Sequence, residues 1–470
     1  MKAVNLLELP VEERKESIYA KGKQKPNLKC DTDSIAGVVS QRACVYCGAR
    51  VVLNPVTDAV HLVHGPIGCA SYTWDIRGAL SSGSDLYRFS FSTDLKEHDV
   101  IFGGEKKLAL AIDELVIKYH PKLVFVYSTC IVGVIGDDLE MVCRVAARKH
   151  RIEVIPVQST GFAGNKSAGY RAACDALLRL IEPKNKKEVK KSKSLNYLGD
   201  YNLAGEVWII KSYLREMDID MNVAFTGDSS CETLKTAAMA SLNIVQCSGS
   251  MFYLAGKMEQ IYGIPYMNIS FLGLEDTAES LRKIARFFDD PETMGKTAEL
   301  IEREINAYGD IVRGYREKLR GKKAAVYVGG GFKAISLIKQ FREIGIDVVM
   351  VGTQTGRQEE YDTINDLVDE GTVILDDANP AELEQFVLEK GAHLLVGGVK
   401  ERPLAYKLGI AFIDHNHDRK HPLSGFVGAV NFAEEVYATV CSPVWRFTQV
   451  PAAAHDCFAG EADNNETTTA

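Results

Sequence analysis

No apolar run in this sequence reaches the roughly 18 residues that a membrane-spanning helix needs. The first residues soon become charged and contain no apolar segment of the secretory type. Basic residues are not in excess either, since the formal net charge is −8, and this argues against non-specific binding to nucleic acid or anionic membranes. We therefore expect a cytoplasmic protein with neither a membrane nor a nucleic acid among its partners.

Two familiar cofactor motifs are incomplete. Cys44 and Cys47 form a Cys-x-x-Cys pair, but no second pair follows at the spacing of a zinc ribbon, which makes zinc the weaker interpretation. The segment Gly329-Gly330-Gly331 follows a predicted strand and could let backbone N–H groups approach an anion. It lacks the full dinucleotide fingerprint, however, and a triple glycine is more often a tight turn. Neither motif is specific by itself.

Cysteine is abundant, with eleven residues in the chain. In a protein expected to be cytoplasmic, these cysteines are better explained as metal ligands and buried thiols than as disulfides. Cys143 and Cys174 lie on the apolar faces of predicted helices, so we expect both to be core residues.

Short apolar runs alternate with helical segments along most of the chain. The run at 122–127 is continuous and β-branched, which is typical of a strand buried on both faces of a parallel sheet. Strands that alternate with helices predict α/β units, in which ligands bind beyond the carboxyl ends of the strands. A chain of 470 residues is also too long for a single core.

The predicted organisation has five parts. They are an N-terminal arm (1–40), three α/β domains (41–195, 196–320 and 321–450) and a disordered tail (451–470). We expect the arm to pack only where something fixes it. A solvated lysine-rich connection at 184–193 marks the first domain boundary, and a single long charged helix at about 279–319 leads to the last domain.

Three cysteines occupy similar positions. Cys44, Cys69 and Cys130 each lie at a turn or at the end of a predicted strand, where a side chain can reach into a cleft. Thiolates placed in this way are good iron ligands. An iron–sulfur cluster usually has four ligands, so the fourth would come from elsewhere in the chain or from a partner.

A second set of candidates could surround an anionic ligand. Cys247 ends a predicted strand and precedes a helix, although a cysteine there is more often a buried thiol. Basic residues near predicted strand ends could neutralise a ligand's charge, namely Arg77, Lys166 and Lys333. Three histidines in a polar loop could bind a metal but are more often solvated, namely His415, His417 and His421.

Together these motifs resemble the nitrogenase molybdenum–iron protein superfamily over roughly residues 40–450. The similar segments are 42–50, 61–69, 127–130, 199–202, 247 with 257–259, 262–265 and 398–401. The resemblance implies three Rossmann-like doubly wound α/β domains with parallel sheets around a central cluster-binding cleft.

The resemblance also implies roles for individual residues. Cys44, Cys69 and Cys130 would bind a [4Fe–4S] cluster that a partner cysteine completes, with Cys47 a neighbour and not a ligand. Cys247 would anchor the iron–molybdenum cofactor or its iron–sulfur precursor. The other residues implied to line that pocket are Arg77, Lys166, Tyr201, Ser250, Gly330, Gly331 and Lys333.

Two departures from the catalytic subunits of this superfamily bear on activity. The stretch 166–170 lacks the glutamine and the histidine found beside the substrate-reducing face. Ser424 stands where those subunits have a histidine that binds the molybdenum end of the cofactor. The resemblance therefore implies an α-type scaffold subunit for cofactor assembly, with enzymatic activity left open. The alternatives are a catalytic nitrogenase α subunit, including vanadium and iron-only forms, and a dark protochlorophyllide reductase subunit.

A scaffold of this kind implies several partners. They are a NifN-like β subunit in an α2β2 heterotetramer, a NifB-like donor of the precursor, the nitrogenase reductase and the apo molybdenum–iron protein as acceptor. Homocitrate would be inserted together with molybdenum. A cluster-free metabolite-binding α/β module remains a third class, and a brown purified protein would exclude it.

Overall fold

The computed structural model describes residues 14, 16–22, 28, 30, 43–73, 80–82, 89–182, 193–415 and 419–447. The strands are β1 (Ile18–Ala20), β2 (Ala59–His64), β3 (Ser90–Ser92), β4 (Leu123–Ser128), β5 (Glu153–Val157), β6 (Ser194–Asp200), β7 (Asp220–Thr226), β8 (Leu242–Val245), β9 (Tyr266–Asn268), β10 (Lys323–Val328), β11 (Asp347–Thr353), β12 (Val373–Asp376), β13 (Leu394–Gly397) and β14 (Ala411–Asp414).

Helices follow nearly every strand. They are α1 (Val45–Leu53), α2 (Ile67–Tyr72), α3 (Glu97–Phe102), α4 (Glu105–Tyr119), α5 (Cys130–Ile135), α6 (Leu139–His150), α7 (Lys166–Leu180), α8 (Glu206–Glu216), α9 (Cys231–Lys235), α10 (Ser248–Tyr262), α11 (Leu274–Phe288), α12 (Pro291–Leu319), α13 (Gly331–Glu343), α14 (Gln358–Leu367), α15 (Pro380–Lys390), α16 (Arg402–Leu408) and α17 (Gly425–Val440). None of the described helices is long and apolar enough to cross a membrane.

The described strands form three sheets, each built on parallel pairs. The first has the order β3–β2–β4–β5 and the second the order β7–β6–β8–β9. The third has the order β1–β12–β11–β10–β13–β14, in which only β1 is antiparallel to its neighbour. Every residue of β4 is buried, as expected for a strand covered on both faces. The predicted α/β class with parallel sheets is confirmed.

The N-terminal arm contributes to the third sheet. Its strand β1 pairs with β12, with Ile18 opposite Leu375 and Ala20 opposite Val373. Nearby, Arg14 Nε donates to Glu382 Oε1 at 3.0 Å, and both side chains are buried. An edge strand and a buried ion pair therefore fix the described part of the arm.

The prediction of one helix at about 279–319 is wrong. α11 ends at Phe288, and Asp289 has a left-handed backbone with φ of 48°. The Asp290 side chain then accepts from the Thr293 N–H and caps α12, with Pro291 at its first position. Proline at a helix start loses no hydrogen bond that the helix needs, and here the Asp-Pro pair begins a new helix.

The first two sheets share one hydrophobic core. Tyr127 of β4, Leu198 of β6 and Met251 of α10 belong to the same buried cluster. Cys143 and Cys174 are fully buried, which confirms the prediction for both. The lysine-rich connection, apart from Lys193, and the predicted disordered tail lie outside the described residues.

Candidate functional site

The carboxyl ends of strands from the second and third sheets meet at a cavity of about 380 Å³, which we call the large cavity. Its wall includes Asp200 at the end of β6, Cys247 after β8, Gly330 after β10 and Gly398 after β13. Helices α1 and α7 close the other side, α1 through Cys47 and α7 through Lys166. The cavity thus lies where parallel sheets place their ligand sites.

Most residues assigned to a pocket from the sequence line this cavity. They are Cys247, Lys166, Tyr201, Ser250, Gly330 and Lys333, and Ser424 joins them. Gly331 does not line the cavity. It begins α13 and packs against Glu360, since a Cβ on Gly331 would lie 2.7 Å from the Glu360 Cβ. Arg77 and His417 lie outside the described residues.

Cys247 is placed by its local sequence. It follows β8 and is the N-cap residue of α10, with an extended backbone at φ −115° and a half-buried side chain. Across the wall, the hydroxyls of Tyr201 and Ser250 are neighbours, but their geometry does not amount to a hydrogen bond. The Cys247 thiol and these two hydroxyls, which have no partner among the described residues, therefore lie at the cavity wall.

Cations outnumber carboxylates around this cavity. The basic side chains are Lys166, Lys333, Lys400 and Arg419, against the carboxyls of Asp200 and Glu401. Arg419 is itself paired, since its Nη1 donates to Glu206 Oε1 at 2.9 Å in a buried contact. Sequence analysis missed Arg419 and Glu206 because they are far apart in the chain and neither lies in a recognisable motif.

Three ionisable groups of the wall are shifted toward their neutral forms. Lys166 is not one of them, because burial lowers its pKa but its neighbours Tyr170 and Cys47 raise it overall. Burial, with a smaller effect of Arg419, lowers the pKa of Lys333 to about 7. Burial raises the pKa of Glu401 to about 6, and burial followed by Glu206 raises that of Asp200 to about 6. An anionic ligand would favour the protonated form of each group, because it attracts the ammonium and repels the carboxylates.

The interpretation of the histidines as solvated is wrong for His415. Its side chain is fully buried, both ring nitrogens lack a partner in the described part of the chain, and the ring packs against Phe432. Burial, then Arg419 and Lys333, lower the pKa of His415 well below its usual value, so the ring is neutral. Lys333 Nζ donates to the His415 carbonyl at 3.2 Å, which links this histidine to the cavity wall. His421 is exposed.

The cysteines at 44, 69 and 130 lie together at a second location. A Cβ on Gly161 would lie 2.8 Å from Cys130 Sγ and 4.0 Å from Cys44 Sγ, so only glycine leaves room between these thiols. Burial, then Cys130 and Cys44, raise the pKa of Cys69, which places its thiol beside the other two. Cys47 is buried and lines the large cavity, although it also lies near Cys44.

The three thiols of Cys44, Cys69 and Cys130 fit an iron–sulfur cluster chemically. Among the described residues, no three His, Cys, Asp or Glu side chains converge closely enough for one metal ion. In a [4Fe–4S] cluster each iron takes one thiolate, so the ligands need not meet at a single ion. Cys44 and Cys69 are half-buried and Cys130 is exposed, so the three-cysteine site borders the protein surface.

Exposed apolar side chains lie on or beside the helices that carry Cys69 and Cys130. Ile67, Val134 and Phe162 are 56%, 73% and 66% exposed. Phe162 contacts α5, since its ring lies 3.2 Å from the position of a Cβ on Gly133. Exposed apolar side chains that cluster in this way indicate a protein-binding surface.

Comparison with known proteins gives consistent results. A family model described as nitrogenase component 1 type oxidoreductase matches residues 44–441. A protein of Clostridium pasteurianum named nitrogenase iron-molybdenum cofactor biosynthesis protein NifE is 61% identical, with 93% of this chain and 96% of the relative covered. A protein of the same name from Methanosarcina barkeri is 56% identical, also over 93% of this chain and 96% of the relative. A solved structure titled nitrogenase Cp1 at pH 5 has a TM-score of 0.85 at 33% identity, covering 95% of this chain and 98% of that one.

Proposed function

The chain belongs to the nitrogenase component 1 family and groups with its NifE proteins, and from this we propose that it is a cytoplasmic scaffold subunit for assembly of the nitrogenase iron–molybdenum cofactor. Its substrate on this proposal is an iron–sulfur precursor, bound in the large cavity. Molybdenum and homocitrate are inserted there before the product passes to the apo molybdenum–iron protein.

The observation that carries this proposal is the donor set of the cavity. Among the described residues, Cys247 is the single thiol that faces it from the carboxyl end of a strand, and the amines of Lys166 and Lys333 belong to the same wall. Iron–sulfur clusters with thiolate ligands are anions, so one sulfur ligand and several cations suit temporary binding. Ser424 is buried at the wall and adds a hydroxyl, which is a poor iron ligand at neutral pH.

The same wall argues against the catalytic alternative. Where the catalytic subunits have glutamine and histidine, this chain has Lys166 and Tyr170, with Lys166 Nζ 5.9 Å from the centre of the Tyr170 ring. Burial raises the pKa of Tyr170, and the nearby Lys166 offsets this only in part, so the Tyr170 hydroxyl is a weak acid. The position of the catalytic histidine is thus held by a group that does not exchange a proton near neutral pH, which suits binding better than repeated reduction.

The three-cysteine site and the exposed apolar side chains near it support a second part of the proposal, which concerns a shared cluster and a partner subunit. Cys44, Cys69 and Cys130 bind a [4Fe–4S] cluster, and a NifN-like β subunit supplies the fourth cysteine within an α2β2 assembly. That cluster supplies electron transfer when it is bound. A NifB-like protein delivers the precursor, and the nitrogenase reductase serves the insertion step.

The proposal predicts that the two sites lose metal independently. Cys247→Ala should lower the iron content of the anaerobically purified complex while the EPR signal of the interface cluster persists. Cys69→Ala should remove that signal, because the cluster loses one of its thiolates. Iron analysis and EPR of the reduced complex measure both effects.

A matched control is Cys143→Ala, which removes a buried thiol from α6, away from both sites. It should leave iron content and EPR signal unchanged. Full precursor content in Cys247→Ala would exclude the cavity thiol as the anchor, and an iron-free wild-type complex would exclude the scaffold function itself.

A further inference from the structure

Arg50 is a buried arginine with no counter-charge among the residues that the structure describes. It lies on α1 and is 3% exposed. Its Nη2 donates to Ser90 Oγ, but Nε and Nη1 find no hydrogen-bond partner within the described segments. No carboxylate in the described part of the chain pairs with it. A buried cation in this state is costly unless an anion compensates it.

The immediate neighbours of Arg50 are aromatic and neutral. Its guanidinium lies 5.6 Å from the centre of the Tyr127 ring, which offers a cation–π contact with a neutral side chain. His61 Nδ1 lies 2.8 Å from the Tyr127 hydroxyl oxygen. Burial, then Arg50, lower the pKa of His61, so this ring adds no charge of its own.

A cavity of about 330 Å³ borders Arg50. Four hydroxyl side chains line it, namely Ser71, Thr73, Ser90 and Ser92, and none of its described lining residues is acidic. Since Ser90 Oγ accepts its hydrogen bond from Arg50, the Ser90 proton remains available to a ligand. None of the described residues is shared with the wall of the large cavity.

We propose that this cavity is a binding site for a small tetrahedral oxyanion with two negative charges, the chemical class of sulfate, hydrogen phosphate and molybdate. The guanidinium supplies the charge, and the hydroxyls of Ser71 and Ser90 supply hydrogen-bond donors to the anion's oxygens. The hydroxyls of Thr73 and Ser92 already donate to backbone carbonyls. Residues of α2, the helix that carries Cys69, form one wall of the site. The inference does not depend on the scaffold function, since it concerns residues that take no part in the precursor site.

The test is equilibrium dialysis of the purified complex against radiolabelled sulfate. Wild type should bind one sulfate per chain saturably, and molybdate should compete. Arg50→Gln should weaken binding by about tenfold or more, as expected for loss of a charge-assisted contact. Arg144→Gln, which changes an exposed arginine of α6, should bind as wild type does.

Two further measurements separate binding from folding. Sulfate should raise the thermal midpoint of wild type but not that of Arg50→Gln, while chloride at equal ionic strength should affect both equally. Ser90→Ala keeps the guanidinium and removes one hydroxyl, so it should fold normally and bind more weakly than wild type. The proposal would be overturned if wild type showed no saturable sulfate binding. It would also be overturned if Arg50→Gln and Ser90→Ala bound sulfate as tightly as wild type, or if acetate competed as well as molybdate.

Discussion

At the scale of single residues, Ser424 is the position that would govern how firmly a bound cluster is retained. It is the N-cap of α17, 2% exposed, and its backbone pairs with Leu272. The cavity therefore presents a rigidly placed side chain that is not a metal ligand. Imidazole at the same position could bind a metal without losing a proton, which a serine hydroxyl cannot do at neutral pH.

Ser424→His is expected to slow transfer of the finished cofactor to the apo catalytic protein while precursor loading stays normal. A second strong ligand contributes several kcal/mol, and every 1.4 kcal/mol corresponds to about tenfold in affinity. The measurement is an anaerobic transfer time course from loaded wild type and variant. Ser424→Ala, which removes the hydroxyl without adding a ligand, should transfer as wild type does. Equal rates for all three loaded proteins would mean that release is governed elsewhere.

At the scale of secondary-structure elements, the contact between α1 and α7 positions both sites. α1 follows Cys44 and contains Cys47, and α7 begins with Lys166. The helices approach closely at Gly169, where a Cβ would clash with the Val45 carbonyl. A single helix pair thus links the three-cysteine site to the wall of the large cavity.

Gly169→Val is expected to force these helices apart and to weaken both metal sites. Overpacking of a close contact typically costs about 1–3 kcal/mol, so the thermal midpoint should fall together with the interface EPR signal. The control is Gly314→Ala in α12, where a Cβ would meet open space. It should raise stability by up to about 1 kcal/mol, because alanine is the better helix former. A stable Gly169→Val protein with an intact signal would contradict the linkage.

At the scale of the whole molecule, the chain presents an apolar surface on the helices that carry Cys69 and Cys130, and a cavity between its α/β units. The cavity needs all three α/β units, because each contributes residues to its wall. The surface formed by Ile67, Val134 and Phe162 has no cover within the described chain, as their exposure shows. A partner subunit that completes the cluster would bury it.

Phe162→Glu is expected to prevent stable association with the β-type subunit without unfolding this chain. A charge in the apolar centre of an interface loses its hydration, whereas the isolated chain keeps that position in water. Co-purification ratios and sedimentation velocity measure the effect. Tyr406→Glu is the matched control, since Tyr406 is 64% exposed against 66% for Phe162 and lies on α16. Normal assembly of Phe162→Glu would exclude this surface as the interface.

Local patterns in the sequence were sufficient for the fold class and for several single residues. Alternating apolar runs and helical segments predicted parallel α/β units, because strand and helix periodicities depend on near neighbours in the chain. The same reasoning correctly predicted that Cys143 and Cys174 are buried. The break between α11 and α12 also had a local signal in Asp290 and Pro291, which the prediction of one long helix overlooked.

Only the tertiary structure decided which distant residues meet. Gly161 separates the thiols of Cys44 and Cys130 because a turn after β5 packs between the starts of α1 and α5. His415 is buried, although its polar neighbours in the sequence predicted a solvated loop, because it packs against Phe432. Such contacts depend on how helices and loops pack across long sequence separations, whereas sequence periodicity records only which face of its own element a residue occupies.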